Sequence, residues 1–234
     1  MNNIEKYSVR LNKEMLNNTD PKQLKASSPS KISKKGNCAF SLPPGPLYSC
    51  PGATKACKNC YAAKGRFIFP SVVKLMTDNW KVVKNAEKSS NKRALSSELK
   101  KVVPKNISLY RLNESGDFYN QDYINAWIKV IRKRPDVLFY AYTRSFNLNY
   151  QKIMRFSNFN LLASTDKYNE KEANKFIKRY KNSNIRRAYG PWRKNWTLPT
   201  NSFLCPATSG VLKIDGACEK CKLCVIKNRV KKDV

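Results

Sequence analysis

The sequence predicts an α/β fold: an incomplete, about six-stranded parallel α/β barrel carrying a cysteine-rich C-terminal extension, with an open doubly wound sheet as the alternative. Three observations carry this reading. Strand-like segments starting near 107, 137, 160 and 185 alternate with amphipathic helical segments, the spacing of βα units. The run Val137–Tyr142 (VLFYAY) is almost wholly apolar, as a parallel strand covered on both faces should be. Polar residues and cysteines follow the ends of successive strands, where α/β proteins bind ligands.

The elements follow in order. Residues 1–35 read as a basic flexible arm, within which Ile4 to Leu16 could form a short helix. A short strand, Cys38–Leu42, is ended by the run Pro43-Pro44-Gly45-Pro46 and opens into a cysteine-bearing loop. Ser71 can cap a helix that sets Val72, Leu75, Met76, Trp80 and Val83 near helical spacing, and a second helix spans about 92–102. Ile107–Leu112 is the next strand and Gly116 marks its turn. Helix 121–134 aligns Tyr123, Ile124, Trp127, Ile128 and Ile131, and Pro135 stops it. After Val137–Tyr142 come a helix around 148–157 and the strand Asn160–Ser164. Helix 170–181 starts with Glu170 and Glu172 and ends with Lys178, Arg179 and Lys181, which suits the helix dipole. Ile185–Tyr189 and Asn201–Leu204 complete the strands, so residues 36–204 form the barrel and 205–234 the extension.

Forty-six Lys and Arg against sixteen Asp and Glu give a formal charge of +30. A field of that size favours polyanions, so nucleic acid is the expected partner. Residues 171–194 carry nine basic side chains and one acidic. Around them Arg186, Arg187, Trp192, Arg193, Lys194 and Trp196 interleave charge with rings that can stack on bases; the same aromatics could equally be core. No run of about 18 apolar residues is present and the N-terminus lacks a secretory pattern, so no membrane role and a cytoplasmic location are expected.

Eight cysteines and no histidine set the chemistry. In a reducing compartment clustered thiols point to metal, and the lack of histidine removes histidine-containing zinc sites. One group is Cys50-x6-Cys57-x2-Cys60 and the other Cys205-x12-Cys218-x2-Cys221-x2-Cys224. A C-x2-C-x2-C run wraps its backbone round a cluster as ferredoxin-type loops do, so [4Fe-4S] clusters are expected, with zinc as the alternative. Three thiolates on a four-iron cluster would leave one iron open to a substrate or to S-adenosylmethionine. Cys38 is a candidate fourth ligand that would close the first site; its alternative is a small core residue.

The segments SLPPGPLYSCPGATKACKNCYAAKGRF, YRLNESGDFYNQDYINAWIKV, FYAYTRS and CPAT with GACEKCKLC resemble the phage and plasmid gene product 88 family over residues 36–225. A looser similarity is to radical S-adenosylmethionine enzymes, which implies a radical-SAM-like barrel. That resemblance puts Cys50, Cys57 and Cys60 at the cluster and Ser115-Gly116-Asp117 at the cofactor's amino group. It sets Ser164 and Asp166 near its ribose or carboxylate and Arg144 near an anion, making Asp117, Arg144 and Asp166 candidate catalytic residues. The first spacing is x6 where those enzymes use x3, and Asn59 stands where they carry an aromatic. The implied function is an iron–sulfur redox enzyme of a mobile element, served by an electron donor and acting on nucleic acid or another anion. The alternative is a non-catalytic, metal-stabilised nucleic-acid-binding protein.

Overall fold

Among the described residues five parallel strands hydrogen-bond side by side in chain order; the βα spacing predicts their parallel pairing but not that order. The structure, a computed structural model, describes residues 2–17, 21, 23–27, 37–91, 93–183, 185–190, 205–207, 209–213 and 215–226. The strands are β1 (Cys38–Ala39), β2 (Leu109–Leu112), β3 (Leu138–Thr143), β4 (Phe159–Thr165) and β5 (Arg186–Tyr189). Their order contains no reversal, so the doubly wound alternative does not describe them. The expected strand 201–204 lies outside the described residues.

Side chains alternate across the strands. Cys38, Phe40 and Leu42, with Tyr110, Leu112, Phe139, Ala141, Phe159 and Leu161, enter one large core. Helices α2 (Pro70–Lys88), α3 (Ala94–Lys101), α4 (Gln121–Arg132) and α5 (Glu170–Arg179) cover that face. The opposite face carries Ala39, Leu109, Tyr140 and Tyr142, and there Val225, Cys218 and Cys224 of the C-terminal segment pack. Its short helix α6 spans Ala217–Cys221.

Local chemistry sets the boundaries. Asn120 caps α4 by accepting from the Tyr123 N–H at 2.8 Å, a contact that contributes about 1 kcal/mol. Helix α2 starts one residue before the expected Ser71 cap, because Pro70 at its first position already has helical φ. The expected helix at 148–157 is instead turns with one 3-10 segment, Ile153–Arg155. Asn149 accepts from the Gln151 N–H at 2.9 Å, and buried Tyr150 ties its hydroxyl to Thr143 and the Ser145 carbonyl. These bonds compete with helical ones. The first part of the expected arm is helix α1 (Asn3–Asn17), docked through Ile4, Tyr7 and Leu11 on Ala62, Ala63, Phe67, Val73 and Met76. Among the described residues no helix is long and apolar enough to cross a membrane.

Candidate metal centres

The first cysteine loop is moored to three successive strand ends. After β2, Gly116 (φ +86°) packs so closely on Ser49 and Leu42 that an added Cβ would lie 3.1 Å from Leu42 Cβ and collide with Ser49 Oγ. The Asp117 N–H donates to the Ser49 carbonyl at 3.0 Å. After β3, Gly52 lies against the Arg144-Ser145 backbone, where a Cβ would sit 2.5 Å from the Arg144 carbonyl carbon. After β4, Asp166 accepts from Thr54 Oγ1 at 2.7 Å and pairs with the Arg144 guanidinium. Thr54 then caps the 3-10 turn Lys55–Asn59, and its N–H points at Cys57 Sγ at 3.4 Å.

This mooring brings Cys50, Cys57 and Cys60 to one cavity of about 500 Å³, together with Gly116, Asp117, Arg144 and Ser164. Burial pushes the Cys50 thiol up, with nearby Asp117 adding to it, and burial likewise raises Cys60. Burial also holds the Asp117 carboxyl up at about 6, against N–H groups of Arg144 and Phe118, each 2.7 Å away. Ser115 does not line this cavity; it is buried, and its carbonyl accepts from Leu42 N–H at 3.0 Å. Asp166 does not line it either, because its carboxylate is taken up by Thr54, Arg144 and the Tyr168 N–H.

Cys38 joins neither cysteine group. Strand alternation turns it, with Phe40 and Leu42, into the helix-covered core, where burial raises its thiol. Of the two readings open for Cys38, a fourth ligand or a small core residue, its packing fits the second.

The second group occupies a different place from the first. Cys205, Cys218, Cys221 and Cys224 line a cavity of about 70 Å³ over the face of the sheet. Tyr140 and Tyr142, two apart on β3, hydrogen-bond to Cys218 and Cys224, and the Cys224 thiol is raised to about 11 mainly by burial. Asn160 Nδ2 donates to the Cys224 carbonyl at 2.8 Å, and the Arg186 guanidinium donates to the Leu223 carbonyl. Cys205, Arg111 and Tyr142 line both cavities and form the wall between them. All eight cysteines are described and none is in a disulfide. Among the described residues no three cysteine, aspartate, glutamate or histidine side chains gather tightly enough to hold a single metal ion.

Of the residues expected at a nucleic-acid surface, Arg186 is buried and Arg187 bonds to Asn174 Oδ1. Trp192, Arg193, Lys194 and Trp196 lie outside the described residues. Sequence reasoning missed Thr54, Arg111, Tyr140 and Tyr142, and read Glu114 only as one of the polar residues in the turn after the second strand. Glu114 accepts from Ser27 and Ser41 and pairs with Arg66 at 3.2 Å, joining three segments at the rim. Arg111 had a legible signal: a lone charge in the otherwise apolar strand Leu109–Leu112.

Fold and site together define an α/β protein with one cysteine group at the carboxyl rim of a parallel sheet and a second laid across the sheet's open face. The chain belongs to the Gene product 88 family, whose pattern it matches over residues 9–227. It is 31% identical to the Gene 88 protein of Mycobacterium phage L5 over 211 residues, 83% of this chain and 87% of that one. It is 34% identical to the Gene 88 protein of Mycobacterium phage D29 over 154 residues, 58% of this chain and 62% of that one. No solved structure matches it.

Proposed function

We propose that this protein is a two-site iron–sulfur redox enzyme, radical-SAM-like in its barrel-type winding and first site, acting on nucleic acid or another anionic substrate. The observation that carries the reading is the shared cavity of Cys50, Cys57 and Cys60. It opens on the Gly116 turn, Asp117, Arg144 and Ser164 and, at about 500 Å³, has the size of a small-molecule site. With Cys38 in the core, three close thiols remain in the first loop. A four-iron cluster held by three thiolates would supply single electrons and one open iron.

The chain's own residues have defined tasks in this reading. Cys50, Cys57 and Cys60 would hold the first cluster, and the Thr54 N–H donates to Cys57 Sγ and so orients it. Gly116 and Ser164 line the space beside it, which would take S-adenosylmethionine. Arg144, fixed by Asp166, presents positive charge to an anionic group. The formal charge of +30 supports a polyanionic substrate.

Anaerobic purification followed by iron, sulfide and zinc analysis tests the reading. Two four-iron clusters give a brown protein with about eight irons per chain. Zinc in a colourless protein would replace it with a metal-stapled, non-catalytic nucleic-acid-binding role. Cleavage of S-adenosylmethionine by the reduced brown protein then tests the catalytic half.

A further inference from the structure

Arg111 sits where the two cysteine cavities meet, on β2, with Tyr140 of β3 as its register partner. Its guanidinium lies over the Tyr142 ring at 5.0 Å, and one terminal nitrogen donates to Tyr61 Oη at 3.3 Å. Its Nε is buried and has no hydrogen-bond partner. Arg66, Arg134 and Arg144 each pair with a carboxylate, whereas no carboxylate lies within ion-pair distance of Arg111 among the described residues. Glu114, whose field reaches Arg111, is already engaged by Arg66, Ser27 and Ser41. A half-buried cation without an anion is costly, and proteins tolerate one where a charged ligand completes it.

The missing anion has an evident source in the adjoining wall. Four thiolates around one divalent metal carry two net negative charges, and a four-iron cluster on four thiolates is also an anion. The tyrosines that hydrogen-bond to Cys218 and Cys224 belong to the same strand face on which Arg111 stacks. The other guanidinium near this set, that of Arg186, donates to the Leu223 carbonyl, and its charge also acts on the Cys224 thiol, so any counter-charge role of Arg111 is shared with it.

We propose that Arg111 is a counter-charge of the metal–thiolate centre formed by Cys205, Cys218, Cys221 and Cys224, a positioning residue whose charge is satisfied only when that centre is filled. The proposal rests on the reading that this set binds metal, and it holds for iron or zinc alike. It requires that Arg111 affect the empty and filled protein with opposite signs. Removing the charge relieves an unpaired cation in the metal-free chain and leaves the anion short of a counter-charge in the loaded one.

Cobalt(II) titration of the full-length chain, in a Cys57→Ala/Cys60→Ala background, reads the C-terminal set alone through its thiolate-to-cobalt absorption. Arg111→Met should weaken cobalt binding ten-fold or more, and Arg111→Lys should restore most of the affinity. In urea unfolding without metal, Arg111→Met should be as stable as the parent or more so. A parent that shows no thiolate-to-cobalt band sinks both the metal reading and the proposal. A parent that binds cobalt with an affinity unchanged in Arg111→Met overturns the proposal alone. So does an Arg111→Met chain destabilised without metal as much as with it, since that is the mark of a packing role.

Discussion

Gly52 and Asp117 show how single residues build the first site without ligating anything. A methyl group at position 52 would meet main chain, the Arg144 carbonyl, which cannot swing aside as a side-chain end can. Gly52→Ala should therefore push the cysteine loop off the β3 end, costing about 1–3 kcal/mol. The check is urea unfolding combined with an iron count, which should fall at the first site while the C-terminal set keeps its metal. An unchanged count and midpoint would refute the mooring. Asp117 makes a pH prediction for the metal-free chain. Its carboxyl, held up at about 6 in the fold against 3.8 unfolded, keeps its proton longer in the native state. Between those values the folded chain binds more protons than the unfolded one, so stability falls as pH rises from about 4 to 6. The full window corresponds to roughly 3 kcal/mol. Urea midpoints across that range should slope downward in the parent, and Asp117→Asn should lose its share of that slope.

At the scale of elements, what was legible followed from local pattern, and what was hidden depended on distant partners. Helix α4 announces itself through Tyr123, Ile124, Trp127 and Ile131, and the parallel pairing of the strands follows the βα spacing, whereas their order could not be read from spacing. That the Gly116 turn and the first three cysteines would meet in one cavity was legible because turn residues and strand ends are written locally. The turns around Asn149 were not, because Tyr150 is held by Thr143 on the preceding strand. Helix α1 was half-read: its periodicity was visible, but its docking depends on Ala62, Ala63 and Phe67 far along the chain. That docking has a consequence for the metal loop. Asn3 Nδ2 donates to the Cys60 carbonyl at 3.3 Å and Tyr7 to the Phe67 carbonyl at 2.5 Å, so α1 braces the segment just after the cysteines. Leu11→Ala, which empties a fully buried position, should cost about 2–5 kcal/mol. It should also speed hydrogen exchange of residues 60–68. If exchange there matches the parent, α1 is a passive appendage.

Among the described residues the sheet has two unequal coverings. One face is sealed by four helices and a large aromatic-rich core. The other is covered by a short C-terminal segment whose buried apolar side chains in residues 205–226 are Ala207, Ala217 and Val225. At about 25 cal/mol per Å², so few apolar groups return too little to offset the entropy of ordering the segment. Its other anchors are the bonds from Asn160 to the Cys224 carbonyl and from Arg186 to the Leu223 carbonyl, and those of Tyr140 and Tyr142 to the thiols. The placement of this segment was not legible in the sequence, because it is decided by polar residues on the open faces of β3, β4 and β5. On the proposed reading of the second cysteine group, metal binding, which contributes directly to folding free energy in small cysteine sites, would supply the missing contribution. Removing metal by chelation under reducing conditions should therefore release the segment and leave the helix-covered core intact. Trypsin should then cut after Lys220 and Lys222 at least ten times faster, while residues 37–190 persist as a resistant fragment in the mass spectrum. Identical digestion with and without chelator would mean that side-chain contacts alone hold the segment, and the second cysteine group would lose its claim to be a metal staple.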